Sequence, residues 1–448
     1  MMNVLENKSI KRWVCATAVS LPLLASQAIL PTLSGGYFSS SVMGVAHAEE
    51  QKKPERKTKR TQAMNQKVYK KLQKIQELID AKDNKGALAA LKEFEANSKN
   101  LNDAEMATTL NLYAFIYYNL EDIEGAIGAY KRLVVLPLAP EGMKLQAKYS
   151  LAQMYFAVEK FDLGIKSLLD WFKETEIAGA SAYVLLAQGY YQVKNYDKSL
   201  TNVNKAIAMY KEKGKVPKEA WYGLQRFLYQ EKKDYNKVIS ILDELLTHYP
   251  KKQYWSQLSA MYGEKEIPKK QLAAYETAYV QGLLDKENEL TRMAYIFLAN
   301  EVPYKAAKVV SQGLKEKKIE ETSKNYELLG NALRAAQEVE KAIPNMRKAA
   351  KLSDKGELWV RLGTLYLSID NFKNAVEAIE SGIKKGGVKR KDQAYLALGM
   401  SYFNLKNYSA AKKAFRKAGT DERSEQTAEQ WLKYMDKELE RQRSLAQG

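Results

Sequence analysis

From about Met64 onward, apolar residues recur at helical spacing in short segments, each followed by a polar turn and a second apolar segment. The clearest unit is residues 357–386, in which Trp359, Leu362, Gly363 and Tyr366 share one helical face and Ala375 and Ile379 share another. The next unit repeats the scheme with Leu398, Gly399 and Tyr402, then Ala411 and Phe415. Turn chemistry recurs with it: Lys194-Asn195-Tyr196-Asp197, Lys233-Asp234-Tyr235-Asn236, Asp370-Asn371-Phe372 and Lys406-Asn407-Tyr408-Ser409 each set Asn or Asp beside an aromatic ring. Asn and Asp tolerate a tight inter-helix turn and cap the helix that follows, while the ring plugs the corner between the helices.

Aligned outward from these two units, the pattern covers nearly the whole chain. Ala126, Gly164, Ser199, Val238, Gln271, Ala306, Ala342, Ala375 and Ala411 occupy equivalent places in successive second helices. First helices are marked by Tyr113, Ala114 and Tyr117, then by Leu151, Ala152 and Tyr155, and then by Leu186, Ala187 and Tyr190. Trp221 and Leu224 mark the fourth, with about one extra residue before its second helix at Tyr235. The small residue lets the paired helices lie close, and the large ones fill the gap to the neighbour. Trp359, Leu362, Gly363 and Tyr366 reproduce the W-x2-L-G-x2-Y signature, and the chain thereby resembles tetratricopeptide-repeat (TPR) proteins. The expected architecture is all-α: a TPR α-α solenoid, wound as a right-handed superhelix, of about nine to ten helix pairs plus a C-terminal capping helix. The repeats span 64–420 and the cap 421–448, where Trp431, Leu432, Met435 and Leu439 give one greasy face to close the array. Pro137, Pro140, Pro217, Pro250 and Pro268 fall at helix edges, and Pro303 and Pro344 near the starts of second helices.

The first 48 residues read as an export signal. Lys8, Lys11 and Arg12 precede an apolar stretch over 13–33, and Ala46-His47-Ala48 forms an A-x-A cleavage site. An uncleaved inner-membrane anchor is the alternative, disfavoured by Pro22, Ser20 and Gln27. A basic leader follows at 49–63, with Lys52, Lys53, Arg56, Lys57, Lys59 and Arg60 close together. Two readings of it stand, a solvated flexible tail or a contact with an anionic membrane or cell-wall surface. The net charge of +18 loses only a net +2 with residues 1–48, and export argues against nucleic acid as the partner.

Catalytic chemistry is scarce. With the signal removed, the single Cys (Cys15) is gone and His248 is the one remaining histidine. That excludes Ser-His-Asp and Cys-His nucleophilic sites and His- or Cys-based zinc sites, and no phosphate-cradling glycine motif occurs. No cofactor, metal or enzymatic activity is expected.

Binding is expected instead. In the TPR proteins this chain resembles, the first helices line the concave face, with positions 2, 5, 9 and 12 turned to the groove. Across the first four full repeats those positions give Asn111, Phe115, Tyr118, Tyr149, Gln153, Phe156, Val184, Gln188, Tyr191, Tyr222, Arg226 and Tyr229. Later repeats give Asn331, Arg334, Thr364, Met400 and Phe403. Rings supply contact area at low entropy cost, while amides and Arg satisfy the backbone of an extended or helical peptide. The competing reading is that the rings pack between neighbouring helices. Glu327, sitting above Asn331 where some co-chaperone TPRs place Lys, argues against capture of an acidic chaperone tail.

Two segments, AAYETAYVQGLLDKENEL (273–290) and LWVRLGTLYLSIDNFKNAVEAI (358–379), together with the export signal and basic leader, resemble periplasmic TPR proteins associated with TonB energy-transduction systems of γ-proteobacteria. That resemblance implies a periplasmic protein–protein interaction adaptor, an accessory of a TonB–ExbB–ExbD complex assisting uptake of iron chelates. The alternative is an assembly scaffold for outer-membrane, polysaccharide or pilus export machinery.

Overall fold

The computed structural model describes residues 62–447. The export segment and the leader up to residue 61 lie outside the described residues. The described residues form the repeat body. Every element among the described residues is helical. The helices come in pairs: α1 (Gln66–Asp80) with α2 (Asn84–Ala96), α3 (Asp103–Asn119) with α4 (Ile123–Val134), and α5 (Glu141–Ala157) with α6 (Phe161–Glu174). Next come α7 (Ala180–Gln192) with α8 (Tyr196–Glu212), α9 (Glu219–Glu231) with α10 (Tyr235–His248), and α11 (Lys252–Glu264) with α12 (Pro268–Val280). Then follow α13 (Glu287–Ala299) with α14 (Pro303–Lys315), α15 (Ser323–Ala335) with α16 (Val339–Leu352), and α17 (Glu357–Leu367) with α18 (Phe372–Lys385). The last pair is α19 (Lys391–Asn404) with α20 (Tyr408–Ala418), followed by the long α21 (Glu422–Gln447).

One turn joins the two helices of every pair. A residue in the left-handed region, φ between 55° and 63°, ends the first helix: Lys82, Glu121, Glu159, Lys194, Lys233, Glu266, Glu301, Gln337, Asp370 and Lys406. The next residue returns its N–H to the carbonyl five residues back, at 2.8–3.0 Å, as in Asp122 to Tyr117, Asn195 to Tyr190 and Asn407 to Tyr402. This is the Schellman closure, which satisfies carbonyls that a helix end leaves bare. That same residue caps the second helix. The side chains of Asp83, Asp122, Asn195, Asp234, Asn371 and Asn407 each accept a backbone N–H of the first turn. Where the cap is Ile267 or Val302, Pro268 or Pro303 opens the helix, so a donor that would lack a partner is absent. Pro344 departs from the expectation: it is the sixth residue of α16, inside the helix and not at its start. There its ring deprives the Glu340 carbonyl of a helical partner.

The series Ala126 to Ala411 falls on the fourth residue of each even-numbered helix from α4 to α20. Most of these residues face the odd helix of their own pair. Close approach is literal at Gly399, where a Cβ would stand 2.6 Å from the Phe415 ring, itself fully buried. Burial of a ring that size stabilises by roughly 1.5–3 kcal/mol.

Beyond its own pair, each helix packs mainly on the adjacent pair: every even helix on the next odd helix, and α1 on α3, α17 on α19 and α19 on α21 among the odd helices. No two even helices make a comparable contact. The odd helices therefore form an inner layer and the even helices an outer one. Cations tie the layers together at two fixed spacings. Lys198, Lys270 and Lys305 lie over Tyr190, Tyr262 and Phe297, eight residues earlier. Lys205, Lys348 and Lys417 lie over Tyr183, Tyr326 and Tyr395, twenty-two residues earlier. At the far end α21 lies on α19 and α20, with Ala428 and Met435 buried and Trp431 stacked on Phe415 at 5.3 Å.

Candidate interaction surface

The inner layer is best numbered from its turns. The carbonyl accepting each Schellman bond belongs to Tyr117, Tyr155, Tyr190, Tyr229, Tyr262, Phe297, Tyr366 or Tyr402, and to Leu78 and Leu333 in the other two pairs. Three residues earlier stands a small residue in most pairs: Ala114, Ala152, Ala187, Ser259, Ala294, Gly330, Gly363 and Gly399.

On that scale the expected residues of α3, α5 and α7 stand where the spacing puts them. Asn111, Phe115, Tyr118, Tyr149, Gln153, Phe156 and Tyr191 are half-buried, and Gln188 is exposed. Val184 is buried. The rings are held firmly. Tyr149 lies 5.1 Å from Trp171, and burial raises its phenol pKa. Phe156 rests against the bare α-carbons of Gly164 and Gly189, which carries it from α5 onto α7. Tyr191 meets Phe227 of α9 edge-on at 5.4 Å and stacks on Tyr196 at 6.0 Å; burial, then the neighbouring Tyr196 and Glu231, raise its pKa. The amides of Asn111, Gln153 and Gln188 make no side-chain hydrogen bond among the described residues.

The α9 assignment is corrected. The bond from Asp234 N–H to the Tyr229 carbonyl sets the register one residue later than Trp221 and Leu224 suggest. Tyr222, Arg226 and Tyr229 therefore stand one residue before the places that Asn111, Phe115 and Tyr118 hold on α3, and Gly223, Phe227 and Gln230 take those places. Tyr222 is 1% exposed, with its hydroxyl donating to Glu244 at 3.0 Å and Lys211 over its ring. The Tyr229 hydroxyl accepts from Asn204 at 3.2 Å. Arg226 occupies the small-residue position. Its Nη1 reaches Gln230 at 3.3 Å while its Nε is buried without a partner, and burial lowers its pKa.

In the later repeats Arg334 and Thr364 are exposed and Asn331 and Met400 half-buried. Phe403 is drawn into a ring cluster with Tyr408, Trp431 and Tyr434, so α21 packs on it. Glu327 pairs with Arg361 at 2.7 Å. His248 ends α10 at 3.8 Å from Glu244. The spacing argument overlooked Tyr295, which is 48% exposed on α13 between two shallow clefts, one reaching Gln271 and Arg292 and the other Lys324 and Asn325. Its signal was available, four residues before Ala299 and next to the small Ala294. Among the described residues no group of three His, Cys, Asp or Glu could hold a metal ion.

The family model described as tetratricopeptide repeat matches residues 356–384 and 392–418, which hold α17–α18 and most of α19–α20. No curated protein matches the chain. Among solved structures the chain is similar to MamA, with 20% identity over 38% of this chain and 97% of that one and a TM-score of 0.33. It is also similar to a tetratricopeptide repeat protein from Parabacteroides merdae, with 15% identity, 56% and 94% coverage and a TM-score of 0.34. A third is the TPR2AB domain of yeast Sti1, solved in a pHSP90 complex, with 16% identity, 60% and 99% coverage and a TM-score of 0.32. The fold is a TPR α-solenoid, an architecture of protein–protein interaction.

Proposed function

We propose that this protein is an exported protein-interaction adaptor whose inner face at α3, α5 and α7 holds a segment of its partner, by binding and not by catalysis. One observation carries the reading. Across three adjacent inner helices, Asn111, Gln153 and Gln188 present amides without hydrogen-bond partners among the described residues, and on two of those helices Tyr149 and Tyr191 are fixed by neighbouring rings. An extended or helical peptide needs that combination: fixed aromatic area, and donors and acceptors for its backbone.

Export and the identity of the partner rest on the sequence: the signal at 1–48, and the two segments that resemble periplasmic TPR proteins of TonB systems. On that basis the partner belongs to a TonB–ExbB–ExbD complex, and the protein assists uptake of iron chelates. Photoreactive residues at Gln153 and Gln188, with Lys166 on the outer α6 as the control, test the groove in cells. A partner crosslinked from the two inner positions and not from Lys166 supports it; equal yields, or none, overturn it. Recovery of a TonB-system component and impaired growth of a deletion strain on chelated iron support the finer reading. A groove partner of another kind with normal iron uptake removes the TonB assignment and leaves the adaptor standing.

A further inference from the structure

Charge divides between the layers in one half of the solenoid only. The outer helices α14, α16, α18 and α20 carry fourteen Lys and Arg against three Asp and Glu. Their inner partners α13, α15, α17 and α19 carry five against five. The outer helices of the other half, α2 to α12, are nearly balanced at twelve against eleven, and α21 has five against six. A merely solvated basic protein would spread its excess over both layers and both halves. Here it concentrates on one layer of four consecutive repeats.

Much of that charge is free. Lys308, Lys351, Lys373, Lys385, Lys413 and Arg416 are exposed and make no ion pair among the described residues. The face is also broad, since successive even helices stand apart. We propose that the outer face of α14–α20 is a docking surface for an anionic lipid bilayer. Twelve of the fourteen cations are Lys. Lys is a compact, hydrated point charge suited to a diffuse layer of headgroups, whereas recognition of nucleic acid favours the Arg fork and stacking rings. Exposed Tyr304 on α14 and Leu352 on α16 add apolar groups of the kind that sit at a headgroup boundary. The attraction of each basic residue to such a surface is screened within a Debye length, so six of them make a salt-sensitive attachment. This surface lies on the layer opposite the groove, so a partner and a bilayer could be held together.

Sedimentation of the chain with vesicles tests the surface, using phosphatidylcholine alone or mixed with phosphatidylglycerol. One variant changes Lys308, Lys351, Lys373, Lys385 and Lys413 to Gln and carries Arg416→Gln. A control of equal net charge changes Lys85, Lys92, Lys131, Lys166, Lys237 and Lys269 to Gln. All forms keep the same leader, and far-UV circular dichroism verifies their fold. Expected are binding to the phosphatidylglycerol mixture alone, a loss on the order of tenfold or more in the first variant, and a change of less than about threefold in the control. Equal losses in the two variants, equal binding to neutral vesicles, or wild-type binding indifferent to ionic strength would each overturn the proposal. Tighter binding to duplex DNA than to vesicles at equal phosphate would also overturn it, in favour of a polyanion.

Discussion

Ten turns of this molecule place an ordinary side chain where glycine fits best. A left-handed L-residue costs roughly 1–2 kcal/mol, part of which a glycine would give back as unfolded-chain entropy. Glu121→Gly and Lys194→Gly are therefore expected to stabilise by about 0.5–1 kcal/mol each in urea unfolding, with the turn geometry unchanged. A loss of stability would mean that those side chains make contacts beyond their turns. A second residue reports on pH. Asp392 is 2% exposed; Arg390 donates to it at 2.9 and 2.5 Å and Ser424 at 2.8 Å. The Arg390 hydrogen bonds, against the opposing effect of burial, hold its carboxyl well below the usual carboxylate range. Its contribution is thus complete above the unfolded value of about 3.9 and is lost as pH falls through the folded value. Asp392→Asn should cost about 1–2 kcal/mol at neutral pH and progressively less as the medium approaches pH 2. A penalty of the same size at both ends would show that shape, and not charge, matters there.

At the scale of the element, turns were more legible than faces. Asn and Asp beside an aromatic located four of the intra-pair turns, and the series of second-helix positions held because a buried, mostly small residue leaves a periodic mark at all of them but Gln271. The α9 register was not legible in the same way. Trp221 and Tyr222 are adjacent and both buried, so apolar periodicity cannot choose between them. The choice is made by the Asp234 turn downstream, which the extra residue before Tyr235 had signalled. Nor does spacing say how far a groove ring sinks: Phe156 is fixed by two glycines on other helices, and Phe403 by a helix that begins nineteen residues later. The corrected register explains why Arg226 stands out, as a guanidinium in a place that eight of the other nine pairs give to Gly, Ala or Ser. Arg226→Ala should raise stability by about 1–3 kcal/mol, since a buried, incompletely bonded cation is replaced by the residue the helix pair is shaped for. Calorimetry showing a lower midpoint for the variant would place a hidden partner on the arginine.

For the whole molecule, stability is a chain of neighbouring interfaces, and the weakest link decides how it opens. Between two extensive apolar clusters the α5–α7 region has a cluster of only five buried residues, Ala152, Ile165, Leu168, Leu186 and Tyr190. The loop beside it exposes Ile177 to 86%. Leu168→Ala, which removes a side chain with no exposure, should cost about 2–5 kcal/mol locally. It should also split unfolding into two steps. Hydrogen exchange would then show α6 and α7 opening ahead of α13–α16; uniform exchange across the array would refute a division there.

The ten left-handed residues also share a place. Because each ends an odd helix and precedes an even one, all of them stand along a single rim, one per repeat. Six are Glu, Gln or Asp and four are Lys, and none is glycine. Such a rim is a row of independently editable characters: any of them can change sign without disturbing a buried atom. Selection could retune what slides past that edge while the architecture behind it stays untouched.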